Sequence, residues 1–350
     1  MTATIQLYAS SQYFESVPEM PKDSHISCDS FAQELSHDLS LAELTSRLEQ
    51  STADYVGFLD FPVPDHTFLN QLSTLELHAD QPGIGLLPFC SADLFVQAWE
   101  TLPAVAAALA MNPFEHAIVF LRKTDLLQVQ NLTDSRDLLW QAFIQLIQNG
   151  VPPLLADSRS SLSGYSGFPR ILPELAPDEL GTSHNWLYSQ LSAYDPFKDL
   201  PSIASRPDAT AVKAGLLCIH DYLDESHQFS QSVQHEGRHR AGDYWHHIMH
   251  RREPDYSNAK YWSRAVGSHP LQDDLPAAIQ SVFDQFQSSP VENWKARLVS
   301  GGQWSLNAFV DCCAECATSG EQELNKFAKQ IQWIEMQLLL QRTSLDATTL

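Results

Sequence analysis

The stretch Ala214–Pro270 reads AGLLCIHDYLDESHQFSQSVQHEGRHRAGDYWHHIMHRREPDYSNAKYWSRAVGSHP. Seven of the chain's fourteen histidines fall between His220 and His250, interleaved with acids, arginines and aromatics. Its apolar positions recur at helical spacing, which predicts a helix over Val212 to Gln228. At 100° per residue, His220, Asp224 and His227 fall within about 60° of one another on that helix. Gly237 to Gly242 reads as a basic turn. A second helix runs from about Asp243 to Arg252 and ends before Pro254. Asp243, His246, His247 and His250 share one side of it, at offsets 0, 3, 4 and 7. Two helices joined by a short turn form a hairpin whose His/carboxylate faces can meet.

Neutral imidazole and carboxylate are ordinary ligands for Zn, Fe and Mn. His220, Asp224, His227, His246 and His250 are therefore the candidate metal ligands, with a metal-bound water as nucleophile. The competing reading is a buried polar network in which Arg251, Arg252 and Arg264 pair Asp221, Asp224, Glu225 and Glu253. A third is a set of solvated surface histidines. Beyond the hairpin, Arg251, Arg252, Asn258, Lys260, Tyr261 and Trp262 mix hydrogen-bond donors with flat rings, which suits a small anionic or sugar-like ligand. Here the alternative is a helix start with Tyr256 and Trp262 in the core.

The stretch also resembles a family of bacterial and fungal proteins with the pattern LDESH–YWH–IMHRREPDY–NAKYW–HP. That resemblance extends to Trp304–Asp311 and the last helix. It implies a shared domain and a shared site, and supplies no reaction. Downstream, Leu275 to Phe286, Ser305 to Ala317 and Glu323 to Leu340 are predicted amphipathic helices, so this part of the chain reads as all-α. Cys313 and Cys316 lie in the apolar Leu306–Cys316 stretch with no second CxxC, and read as buried helix thiols.

Upstream the periodicity changes. Ile5 to Tyr8, Tyr55 to Phe61, Ile84 to Phe89, Ala117 to Arg122 and Val151 to Ala156 read as strands. Ser40 to Glu49, Thr67 to His78, Phe95 to Met111 (broken at Pro103) and Arg136 to Gln148 read as helices. Strands alternating with helices predict an α/β layer on a mostly parallel sheet. The order of strand, Asp-Pro loop and helix, followed by AIVFLRKTDL and a helix carrying Asp137 and Trp140, resembles family 2 glycosyltransferases of the GT-A fold. The resemblance covers about residues 40 to 155. It implies a nucleotide-sugar ligand, a divalent metal held at the first position of an Asp-x-Asp motif, here Asp60, and a catalytic base at Asp137. Phe61 and Pro62 follow Asp60 where a second acid would stand, which implies a weakened or lost metal site and a shortened domain.

The fold expected is a GT-A-like α/β domain over 1–160, a Pro/Ser-rich linker over 161–210 with a short helix near Trp186–Leu191, and an all-α helical domain over 211–350. Three functions follow: a glycosyltransferase-like protein, a metal-dependent hydrolase using the histidines, and a non-catalytic sugar-binding or assembly protein. Acids outnumber bases 43 to 21, for a net charge of −22. That field repels phosphate backbones and anionic membrane surfaces, so nucleic acid is an unlikely partner class. No apolar run reaches the roughly 18 residues a membrane span needs. With no signal-peptide pattern and no disulfide spacing, a cytoplasmic setting is expected.

Overall fold

The structure, a computed structural model, describes residues 3–10, 26–31, 40–59, 77–78, 82–89, 93–132, 137–156, 166–178 and 185–349. The chain divides into two compact units, Met1–Glu100 with Ala107–Arg170, and Thr101–Ala106 with Ile171–Leu350.

The first unit is built on a mixed sheet. Its described strands are β1 (Ile5–Ser10), β2 (Ile26–Phe31), β3 (Tyr55–Leu59), β4 (Ile84–Pro88), β5 (Ala117–Arg122) and β6 (Pro153–Leu155), in the order β2-β1-β3-β5-β4-β6. β1 runs parallel to β2 and β3, and β4 parallel to β6. β5 is inserted antiparallel between β3 and β4, so the layer is mixed even though the other five strands share one direction. β3 and β4 are buried at every position, as expected for strands covered on both faces. Gly57 shows how tight the centre is: a Cβ there would sit 2.6 Å from the Phe120 ring and 2.7 Å from Leu7.

Helix α1 (Leu41–Gln50) starts at Ser40, whose hydroxyl accepts from the Glu43 N–H, and buries Leu44 and Leu48. α2 (Leu94–Thr101) stops short of Pro103, as a residue without an N–H requires. α3 (Leu138–Gln148) buries nine of its eleven residues, and the Trp140 indole donates to the Ala108 carbonyl at 2.8 Å. Asp60 lies outside the described residues, as does the predicted Thr67–His78 helix apart from its last two positions.

The second unit is largely helical. Its principal helices are α4 (Arg206–Ile219), α5 (Leu223–Ser232), α6 (Ala241–Arg252), α7 (Tyr256–Val266), α8 (Leu306–Ser319) and α9 (Gln322–Thr348). All twelve residues of α6 are buried, although six of them are ionisable in the sense of Asp, His or Arg. α6 packs on α4, α5 and α7. At Gly215 of α4 a Cβ would fall 2.5 Å from the Trp245 indole, so only glycine lets α4 and α6 cross this closely. α9 meets α6 through polar atoms. Tyr244 Oη donates to Glu335 Oε1 at 3.0 Å, Trp245 Nε1 to Thr343 Oγ1 at 3.3 Å, and Arg251 Nη2 to Glu335 Oε2 at 2.6 Å. Cys312, Cys313 and Cys316 are buried free thiols of α8.

Two expectations are corrected here. The single helix over Val212–Gln228 is two helices, because the chain breaks at His220–Tyr222 with Asp221 left-handed at φ 67°. Arg252 accounts for the break: its guanidinium bonds the Cys218 carbonyl at the end of α4 and the Asp221 carboxylate. A helix C-terminus leaves carbonyls without intrahelical donors, and a cation there supplies them. The segment 171–178, expected as linker, is held by the helical unit: Arg252 Nη2 and Gln332 Nε2 each donate to the Glu174 carbonyl at 3.0 Å. Among the described residues no helix is long and apolar enough to cross a membrane.

Arg251 and Glu335 are both fully buried. Removing one partner of such a pair strands the other charge and costs about 3–5 kcal/mol, whereas apolar replacement of both is far milder. Glu335→Ala should therefore lower urea-denaturation stability by about that much, and Arg251→Met with Glu335→Leu should recover most of it. A loss below about 1 kcal/mol in the single variant would contradict this account.

Candidate functional site

Helix α6 presents His246 and His250 one turn apart, so their rings stack at 4.7 Å and 25°. His227 approaches from α5, edge-on to both, with ring centroids 4.7 Å from His246 and 5.4 Å from His250. One ring nitrogen from each of the three lies within 4.8 Å of the others. Among the described residues this is the group of metal-ligand type. Three nitrogens at about 2.1 Å from one tetrahedral ion sit about 3.4 Å apart, so a closure of about an ångström completes the set. His227, half-buried on α5, has the room to supply it.

His246 is 1% exposed, and neither of its ring nitrogens has a hydrogen-bond partner. Burial, with lesser contributions from neighbouring His250 and His227, pushes its pKa down to about 3. The imidazole is therefore neutral at pH 7, with a lone pair to offer. The Trp262 ring of α7 lies flat on it at 3.8 Å and 22°. His235 stacks in turn on Trp262 at 5.8 Å. Buried Asp243 holds His235 by its backbone N–H at 2.9 Å and faces its Nδ1 at 3.1 Å.

His250 has two polar neighbours. Its Nδ1 faces Glu253 Oε2 at 3.0 Å, and Asn258 Nδ2 lies 3.0 Å from its Nε2 and 3.4 Å from its Nδ1. Burial lowers its pKa and the Glu253 carboxylate opposes that shift. His247 turns away from the cluster. Its Nδ1–H donates to the Ala259 carbonyl at 2.8 Å, and burial pushes its pKa to about 3.

Of the five predicted metal ligands, His227, His246 and His250 come together. His220 and Asp224 do not join them. His220 terminates α4, and Asp224 is exposed in the first turn of α5; the break at Asp221 rotates the two helices out of the common face a continuous helix would give them. Of the six predicted ligand-binding residues, Asn258 and Trp262 face the cluster. Arg251 and Arg252 are 0% exposed and committed to Glu335, Asp221 and backbone carbonyls, which closes them to a ligand. Lys260 pairs Asp311, and Tyr261 is 57% exposed. In the first unit, Asp137 is 5% exposed with a left-handed backbone at the N-terminus of α3. The network reading gave Glu253 to an arginine, whereas the structure sets it on His250. The signal available was its i+3 spacing from His250 at the end of a helix.

No family model, no curated protein and no solved structure matches the chain.

Outside the cluster, buried His247 and His269 both have pKa values lowered to about 3, chiefly by desolvation. The unfolded chain titrates them near 6.5, so between about pH 6.5 and 3 the unfolded state binds the extra protons. Their contribution to stability is complete above about pH 6.5 and declines as pH falls, at up to about 1.4 kcal/mol per pH unit for each. Urea midpoints of the chelator-treated protein should hold nearly level from pH 7.5 to about 6.5 and then drop as the pH falls to 5. Constant midpoints across that window would contradict neutral burial of these rings.

Proposed function

We propose that the helical unit carries a divalent-metal centre of the zinc type, ligated by His227, His246 and His250, and that the chain is a metal-dependent hydrolase. The observation that carries this reading is His246: a ring 1% exposed, with both nitrogens unpartnered, facing two other imidazoles. A buried polar group left without a partner costs about 1–3 kcal/mol, and an ion in the cluster removes that cost. The chemistry of the donors selects among metals. All three are imidazole nitrogens, which suit zinc and do not suit Mg or Ca. The group contains no carboxylate, which counts against the two-His-one-carboxylate arrangement of non-haem iron. Three protein ligands leave a fourth position open, and an ion so held supplies Lewis acidity and lowers the pKa of a bound water. In this reading Trp262 fixes the plane of His246 and walls off one side of the centre.

A second reading concerns the first unit. Its layer of five co-directional strands, flanked by helices, supports the nucleotide-sugar role that its resemblance to family 2 glycosyltransferases implies, with Asp137 as the candidate base and Asp60 as the residual metal ligand. Titration with a nucleotide diphosphate sugar and Mn²⁺ tests it, and absence of binding rules it out.

For the metal centre, elemental analysis of protein purified without chelator should find about one zinc-class ion per chain. His246→Ala with His250→Ala should abolish uptake while far-UV circular dichroism stays native. A native chain that takes up no zinc on dialysis would return the three histidines to a purely structural role, as would a double variant that binds normally.

A further inference from the structure

We infer that Glu253 is the positioning residue of this centre: its carboxylate locks His250 in the Nδ1–H tautomer, so that Nε2 is the atom turned to the metal. The inference rests on the metal reading above and deepens it.

The argument comes from what each neighbour of His250 can donate or accept. Glu253 Oε2 lies 3.0 Å from Nδ1. An ionised carboxylate only accepts, so the proton of the bond is on Nδ1. Asn258 Nδ2 lies 3.0 Å from Nε2 and 3.4 Å from Nδ1, beside both ring nitrogens and off the line of either lone pair, so it leaves the tautomer to Glu253. A neutral imidazole protonated at Nδ1 presents Nε2 alone to a metal, and a carboxylate on the far nitrogen raises its basicity and fixes the ring plane.

The local chain explains why Glu253 can do this. α6 ends at Arg252, and Glu253 follows as its C-terminal cap, one turn on from His250. Pro254 stops the helix, and the Asp255 carboxylate accepts from the Asn258 N–H to start α7. The tight α6–α7 turn therefore delivers both Glu253 and Asn258 to the same ring. The other two histidines lack an equivalent. His246 has no hydrogen-bond partner, and no carboxylate is paired with His227 among the described residues. His250 is the ligand whose tautomer the protein sets in advance.

Two measurements test the inference in the full-length chain. In chelator-treated protein, nitrogen-15 NMR of the histidine rings should show His250 as Nδ1–H, and Glu253→Ala should convert it to a tautomer mixture. Zinc titration against a chromophoric competitor should find Glu253→Ala weakened about 10–100-fold, the usual effect of losing such a partner. Glu253→Gln, which keeps an accepting oxygen but no charge, should restore the tautomer and much of the affinity. Glu253 is surface-exposed at a helix end, so the variants fold, which their thermal melts will confirm. Equal zinc affinity in native and Glu253→Ala protein, or His250 found as Nε2–H, overturns the role of Glu253 while leaving the metal centre standing. No zinc uptake by the native chain overturns both.

Discussion

Every residue of α6 is buried, so each polar side chain on it must find its partner inside the protein. Most do. Asp243 is met by His235, Tyr244 and Arg251 by Glu335, Trp245 by Thr343, and His247 by the Ala259 carbonyl. His250 is met by Glu253, and Arg252 by Cys218, Asp221 and Glu174. These partners come from three other helices (α4, α7 and α9), from the turns at Asp221, His235 and Glu253, and from the segment before them, which is why one polar helix can organise the whole unit. The constraint also isolates an exception. His246 sits at the centre of this helix with both nitrogens unmatched, in a unit that satisfies almost every neighbour on the same helix.

The buried ion network and the proposed metal centre began as rival readings of one stretch. On α6 they occupy different faces and do different work. Arg251 and Arg252 point to α9 and to the end of α4, where unpaired charge would be costly and paired charge fixes the register of the helices. His246 and His250 point to α5 and α7, where among the described residues no guanidinium is paired with them and where burial lowers the pKa of both imidazoles. Desolvation thus acts on the face where the proposed centre lies in the same step that forces the first face to pair.

How much of this was legible in the sequence varies by residue. The helical character of the second unit was legible, because apolar residues recur at 3.6 spacing from Leu271 to Leu340. So was the alternation of strands and helices before Arg170, although the reversed direction of β5 was not: a buried run such as AIVFL carries no mark of which way it faces its neighbours. His246 and His250 were legible as a pair, since i and i+4 share a helix face. His220 and Asp224 misled because the pattern that groups them assumes an unbroken helix. The break depends on Arg252, thirty-one positions further on from Asp221 and reachable only once α6 has packed against α4. Arg251 and Arg252 misled for a related reason. The sequence offered them both as ligand donors and as members of a buried ion network, and only the fold shows the network, with Arg252 on Asp221 as that reading had it and α9 placing Glu335 opposite Arg251 at zero exposure.

The same reasoning bears on what kind of centre the three histidines make. A structural zinc site closes around the ion with four protein ligands, whereas a catalytic one keeps a position open. The second unit has carboxylates close at hand, yet each is already engaged: Asp243 by His235, Glu253 by His250 Nδ1, and Asp255 by the start of α7. None turns an oxygen into the group of three nitrogens. The acids nearest the cluster orient its surroundings instead of filling its last position. In the proposed centre that division of labour would turn nitrogens toward the ion and keep carboxylates one bond further out, leaving room for a water and tuning the ligands around it.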